Sequence, residues 1–330
     1  MKDDIDLKLA ESELDIAAAI ELEHLVIGSR GTVAEKILLW SRYPKFLKRD
    51  IVMMTCKQSC IGVVRIVPQI FLFSGQRYKS AGISAVSIHP DYRGMGLSKI
   101  LMDYAINEIT DRKFDFSHLI ARRAVDHYYN KFDFFGAFSY QKIVIAKQSG
   151  IPASDLRLAE GVSEQDLGVF QESYRYSYEF VNGRCHRNRD LWLHILFRKN
   201  YLDCSIRAIK SVCGNTIGYV VLKENTIYEL GLLEEYYDTK PVYKLISLLS
   251  FSDGWFLPFK HRLTCFLRYY DVQFISRECY FGGHMLRLNF IEVSGKTTLE
   301  RYESFRSLVE FDIGLECVSG GFQISILDQY

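Results

Sequence analysis

Ser84-Ala85-Val86-Ser87-Ile88-His89-Pro90-Asp91-Tyr92-Arg93-Gly94-Met95-Gly96-Leu97-Ser98 is the stretch on which the fold turns. It begins with strand composition, passes through two closely spaced glycines, and continues into Leu97, Ile100, Leu101, Tyr104, Ala105 and Ile109 at helical spacing. A buried strand therefore feeds a tight turn, and a helix begins at once. Glycine reaches positive φ without steric cost and lets a ligand approach the bare backbone. The first turn of a helix has N–H groups without intrahelical partners, and the macrodipole adds positive potential there. Such a loop suits an anion, a pyrophosphate in particular. The alternative is a plain turn capping a helix, and the strand before and amphipathic helix after favour the phosphate reading. A dinucleotide fold would want a third glycine where Lys99 stands, with the loop after the chain's first strand.

Toward the N-terminus, Leu9 to Ile27 and Thr32 to Trp40 read as helices, with Ser12 and Asp15 hinting at a cap and Ala34, Ile37, Leu38 and Trp40 turned inward. Ile51 to Thr55, Ile61 to Phe73 and Tyr78 to Ile88 are rich in Val, Ile and Phe, with polar breaks between them, as in an antiparallel meander. Beyond the loop helix, His118 to Ala121 reads as a strand, Ala124 to Phe132 as a short helix and Phe138 to Ala146 as the strand that closes the sheet. The polar segment 147–154 reads as a linker. The same order then returns more weakly: helices at Glu164 to Phe180 and Leu191 to Phe197, strands at Ser205 to Lys210, Thr216 to Leu222 and Tyr228 to Leu232, and a helix at Pro241 to Leu249. The expected fold class is α/β, a mixed and mostly antiparallel sheet flanked by helices, followed by a diverged second copy or an unrelated mixed domain.

With these residues in hand, the sequence resembles the GCN5-related N-acetyltransferase (GNAT) superfamily. Its signature loop, Gln/Arg-x-x-Gly-x-Gly/Ala, falls on Arg93, Gly96 and Ser98, with serine where glycine or alanine is usual. Ala124 to Phe134 looks like the A-x-x-F-Y-x-K-x-G-F segment of the family, with Tyr129 on the tyrosine and Asp133 in place of the glycine. The resemblance covers about residues 5 to 147 and implies acetyl-CoA as co-substrate. It implies that Arg93, Gly94, Met95, Gly96, Leu97 and Ser98 hold the pyrophosphate and that Val86, Ser87 and Ile88 splay from the neighbouring strand to pair with the pantetheine arm. It also implies that Tyr129 is the general acid. The glutamate often found on this strand is missing between Ile83 and Pro90, where Ser84, Ser87 and His89 are the polar choices; relay through ordered water is the expected base.

The tandem arrangement resembles the enhanced intracellular survival-like acetyltransferases. That implies a catalytic domain at 1–147 and a GNAT-like domain at 155–330 that shapes the acceptor pocket. The corresponding loop of the second domain, Gly231 to Tyr237, has one glycine and the acidic Glu234 and Glu235, so it is expected to hold no cofactor. Tyr174, Tyr176, Tyr178 and Glu179 are a candidate lining for a cationic acceptor, and the terminal carboxylate of Tyr330 is a remote candidate base.

The chain has 330 residues and a formal charge of only +1, without the basic excess of a nucleic-acid binder. The N-terminus does not read as a secretory signal, and the apolar run Ile61 to Phe73 is too short to span a bilayer. Eight scattered cysteines fit a reducing cytoplasm, and Cys56 with Cys60 has no second pair to complete a metal site. The expected activity is transfer of an acetyl group to the primary amine of a small molecule: an amino sugar, polyamine or amino-acid derivative. A protein lysine acetyltransferase and an inactive acetyl-CoA-binding sensor are the alternatives.

Overall fold

The computed structural model describes residues 4–28, 31–73, 75–121, 126–136, 140–145, 154–181, 183–198, 204–258, 260–270, 272–279 and 284–289. Two sheets organise them. The first contains β1 (Ile5–Leu9), β2 (Ile51–Cys56), β3 (Ser59–Phe73), β4 (Gln76–Ile88), β5 (Phe116–Ile120) and β6 (Phe135–Gly136). The second contains β7 (Tyr140–Ile145), β8 (Arg157–Ala159), β10 (Ser205–Lys210), β11 (Thr216–Lys223), β12 (Thr226–Leu232), β13 (Gly254–Leu257) and β14 (Phe274–Cys279). A short β9 (Arg184–Cys185) adds to β3, and β15 (His284–Leu288) lies between β5 and β6.

The two sheets repeat one topology. The first four strands of each form an antiparallel meander, and the next joins in parallel, β5 on β4 and β13 on β12. Each sheet then takes a strand from the other half of the chain. β15 pairs antiparallel with β5 and β6, while β7 pairs antiparallel with β13 and β14. Tyr140–Ile145 is thus a strand where the sequence suggests one, but it closes the second sheet rather than the first. Alternation identifies a strand and its buried face, here Gln141 and Ile143, and carries no information about which of two matching slots it fills.

Helices cover both faces of each sheet. In the first, α1 (Glu13–Ile27) and α2 (Val33–Ser41) pack on one face through Ile16, Ile20 and Trp40, and α3 (Leu97–Asp111) packs on the other through Leu101, Met102 and Ala105. Ser12 and Asp15 form a reciprocal capping box at α1, as do Thr32 and Glu35 at α2. The inward face of α2 differs from the expected one. Ala34 and Leu38 are exposed, whereas Lys36 is buried and paired with Glu23 at 2.7 Å. In the second, α5 (Leu167–Ser177) and α6 (Arg189–Arg198) pack on one face; α7 (Thr239–Leu248) and α8 (Arg262–Tyr269) pack on the other. The remaining helix, α4 (Asp126–Tyr129), runs into a 3-10 turn at Asn130–Phe132.

Candidate active site

Strand β4 parts from β5 where the sequence calls for a ligand. The two pair only from Ser80 with Phe116 to Ile83 with Leu119. On its other edge β4 continues along β3, but Ser84 faces Arg65 and Ser87 faces Val63, so two residues of β4 stand against one of β3. This is a bulge, and Ala85 within it has φ +54°. A bulge bends and twists its strand, here at the start of the segment that leaves β5. Past it, Val86 is half-buried, Ser87 is buried with its hydroxyl lacking a partner, and Ile88 packs under α3.

The chain then makes a 3-10 turn at Pro90–Tyr92, where the Asp91 N–H donates to His89 Nδ1 at 3.3 Å. His89 is thereby engaged in its own turn. Arg93 follows, its Nε donating to the Ile88 carbonyl at 3.3 Å. Gly94 and Gly96 have φ +78° and +76°, and a Cβ on either would meet nothing within 4 Å. Glycine is required here for its conformation and not for room. Gly96 is the N-cap of α3 and supplies no side-chain hydrogen bond. The first-turn amides of α3 are therefore uncapped by a side chain, an arrangement suited to an anion. Met95 is exposed, Leu97 is buried, and Ser98 is half-buried.

Tyr128 and Tyr129 of α4 pack against the same cluster as Val86, Ile88 and Leu97. Burial pushes the Tyr129 phenol up to about 12, with Tyr128 adding to it. The phenol is therefore protonated at neutral pH, as a proton donor must be. The Tyr128 hydroxyl approaches Ser98 without a hydrogen bond of good geometry; burial raises its pKa and Ser98 opposes this. Asp133 takes φ +62°, the conformation glycine would take, and Asp is among the residues that tolerate it. The structure thus brings the bulge, the glycine loop and Tyr129 onto one side of the first sheet. Ala124, Val125 and Tyr330 lie outside the described residues.

The second half has a matching wedge with different contents. β12 pairs with β13 only at Thr226 and Ile227. Beyond that, His261 Nε2 donates to the Leu230 carbonyl at 2.9 Å, and Ser177 Oγ accepts from the Leu232 N–H at 2.9 Å. The Tyr237 hydroxyl donates to Ser177 Oγ at 2.7 Å. Gly231 belongs to the strand: a Cβ there would lie 2.5 Å from the Tyr219 ring and 3.1 Å from the Ser173 backbone. It serves helix packing rather than a phosphate loop. The candidate acceptor lining is likewise spent. Tyr174 and Tyr178 are core residues, Glu179 pairs with Arg262, and Arg262 lies 3.8 Å over the Tyr176 ring.

Among the described residues no group of three or more His, Cys, Asp or Glu is placed to hold a metal. No helix among them is long and apolar enough to cross a membrane.

Residues 9–137 match the family model described as acetyltransferase (GNAT) domain. That match is to less than half of the chain, and it supports an acyltransferase carrying a GNAT domain. No curated protein sequence matches the chain. Among solved structures it is similar to a conserved protein of unknown function from Enterococcus faecalis V583, described as a probable N-acyltransferase. That match has 15% identity and a TM-score of 0.62, covering 86% of this chain and 72% of the other. It is also similar to Eis1 from Mycobacterium abscessus, with 16% identity and a TM-score of 0.59 over 87% of this chain and 74% of the other. A GCN5-related N-acetyltransferase from Kribbella flavida gives 16% and 0.59 over 87% and 72%. At these identities the likeness is one of fold, and it spans both sheets.

Proposed function

We propose that the chain transfers the acetyl group of acetyl-CoA to an amine by direct attack. In this reading the catalytic domain is built on residues 1–147, giving β7 to the second sheet and taking β15 from the other half. Residues 155–330 otherwise form a diverged GNAT-like domain, free of cofactor, that shapes the acceptor pocket. One observation carries it: β4 bulges and leaves β5 immediately before a loop whose helix has no side-chain cap. The gap offers backbone groups of Val86, Ser87 and Ile88 to an extended amide-bearing arm. The amides of Arg93 to Ser98 offer a cradle for a pyrophosphate. Acetyl-CoA supplies an activated thioester.

The residues of the chain do the rest. Tyr129 holds the proton destined for the departing thiolate, and its buried setting keeps that proton in place. An alkylamine near pKa 10.4 costs about 4–5 kcal/mol to deprotonate at pH 7. With no carboxylate between Ile83 and Pro90, ordered water beside Ser84 and Ser87 takes that proton. In the second domain, His261 and Ser177, the latter also bound by the Tyr237 hydroxyl, occupy the backbone positions that an arm would use, which supports its being free of cofactor. The near-neutral charge supports a small-molecule amine over a nucleic acid or an anionic membrane as partner.

Thiol release from acetyl-CoA, measured against small amines and basic peptides, tests the reading. Turnover on small amines supports it, and turnover on peptides alone reassigns the acceptor. Thermal stabilisation by CoA without any turnover would make the chain a binding protein. No stabilisation at all overturns the co-substrate.

A further inference from the structure

Arg65 is a buried cation that no carboxylate among the described residues pairs with. It lies on β3 with 6% of its surface exposed, and its Nε is sealed from solvent without a hydrogen-bond partner. Its guanidinium is held against rings, 4.5 Å from the Trp40 centroid and 5.7 Å from that of Tyr43. The two carboxylates that act on it, Glu23 and Asp50, are committed elsewhere. Glu23 pairs with Lys36 at 2.7 Å and Asp50 with Arg112 at 2.6 Å, all four largely buried. Those pairs cancel, and Arg198 adds a further cation nearby. Burial pulls Arg65 down to about 10, which leaves it charged at neutral pH. An unmatched interior charge is costly, so its retention calls for a partner from outside.

Its position says where that partner arrives. Arg65 stands directly opposite Ser84, the last paired residue of β4 before the bulge. Its stacking on Trp40 puts it on the α1–α2 face of the sheet, opposite the face that packs α3. An amine approaching a thioester laid along Val86 to Ile88 would carry its substituents past this point. A guanidinium is a planar fork that matches a carboxylate or a phosphate with paired hydrogen bonds.

We propose that Arg65 binds an oxyanion, carboxylate or phosphate, carried by the acceptor. The acceptor is then an anionic amine, such as an amino acid, rather than a polyamine. The proposal rests on acetyl transfer at this site.

The test compares acceptor pairs that differ only in the anion: L-alanine with L-alaninamide, and O-phosphoethanolamine with ethanolamine. Thiol release is measured for the wild type, Arg65→Met and Arg65→Lys. The wild type should favour the anionic member of one pair by on the order of 10²-fold in kcat/KM, and the favoured pair distinguishes carboxylate from phosphate. Arg65→Met should erase that preference through KM, while turnover on the neutral member stays within about threefold. Arg65→Lys should keep a weaker preference, and it decides the matter if Arg65→Met does not fold. A purely structural Arg65 would lower the melting temperature of Arg65→Met without altering the preference, which overturns the proposal. So does equal use of both members by the wild type.

A second measurement separates this proposal from acetyl transfer itself. Acetate or inorganic phosphate should stabilise the wild type thermally and leave Arg65→Met unmoved, whether or not thiol is released. Stabilisation without turnover would retain the anion site and discard the reaction. Equal stabilisation of both proteins, or of neither, overturns the anion site.

Discussion

Arg187 donates two hydrogen bonds to the Glu229 carboxylate, at 2.6 and 2.9 Å, and neither side chain is exposed. Tyr219 donates a third at 2.5 Å, and the guanidinium lies 4.2 Å over Tyr174 and 4.9 Å over Trp192. Removing one partner strands the other in the core of the second domain, at about 3–5 kcal/mol. Replacing both with apolar residues removes the desolvation penalty along with the attraction and is often close to neutral. Glu229→Leu alone should therefore lower the urea midpoint sharply, and Arg187→Met added to it should recover most of the loss. A double variant as unstable as the sum of the singles would show that the two charges do not act as a unit.

The glycine loop makes a second prediction with a clean physical cause. Gly94 and Gly96 adopt positive φ with open space beside them, so alanine at either meets no clash. It meets only the cost of the left-handed region, about 1–2 kcal/mol. That strain is relieved by turning the amides that the pyrophosphate would use. Gly96→Ala should weaken acetyl-CoA binding by about tenfold, the equivalent of 1.4 kcal/mol, with a small change in melting temperature. Calorimetric titration reads this directly, and an unchanged dissociation constant would remove the loop from the cofactor site.

Tyr129 and Tyr128 are neighbours whose rings meet at 5.2 Å, and the proposed mechanism expects different effects from their removal. Tyr129→Phe should lower turnover by about 10²–10⁴-fold, the usual worth of acid–base help, with little change in acetyl-CoA affinity. With its phenol pushed up to about 12, Tyr129 stays in the donor form through neutral pH and contributes no falling limb to the rate profile below about pH 11. Tyr128→Phe, beside Ser98, should act on acetyl-CoA affinity instead. Equal effects of the two variants on both parameters would contradict this division.

The turn from Arg93 to Ser98 was legible in the sequence because the positive φ of Gly94 and Gly96 calls for glycine there. The meander was legible for a similar reason, since Val, Ile and Phe runs between polar breaks have few other uses. Lys36 shows the limit of pattern. Its charge argues for the surface, and only tertiary structure reveals Glu23 waiting beneath it. The exchange of β7 and β15 was not legible, because two repeated sheets offer equivalent slots. β1 escaped notice because Ile5 to Leu9 is a half-buried edge strand interrupted by charges. The Arg65 site was hidden because nothing local marks an arginine as lacking a carboxylate.

His261 offers a test of the second domain by pH alone. It is fully buried and uses both ring nitrogens: Nε2 donates to the Leu230 carbonyl at 2.9 Å, and Nδ1 accepts from the Leu263 N–H at 3.2 Å, capping α8. Protonation would put a hydrogen where Nδ1 now accepts. Burial pushes its pKa down to about 4, with the Leu230 bond opposing, whereas an unfolded histidine titrates near 6.5. The unfolded chain therefore binds this proton more tightly. The stability of the neutral ring is fully present above about pH 6.5 and is lost as pH falls toward about 4. Within that window one such proton gives a slope of about 1.4 kcal/mol per pH unit. His261→Asn keeps an acceptor at the cap and removes the titration. It should be less stable than the wild type at pH 8 and lose stability more slowly on acidification, by about that slope. Unfolding curves across pH 4 to 8 that stay parallel for the two proteins would place the acid sensitivity elsewhere.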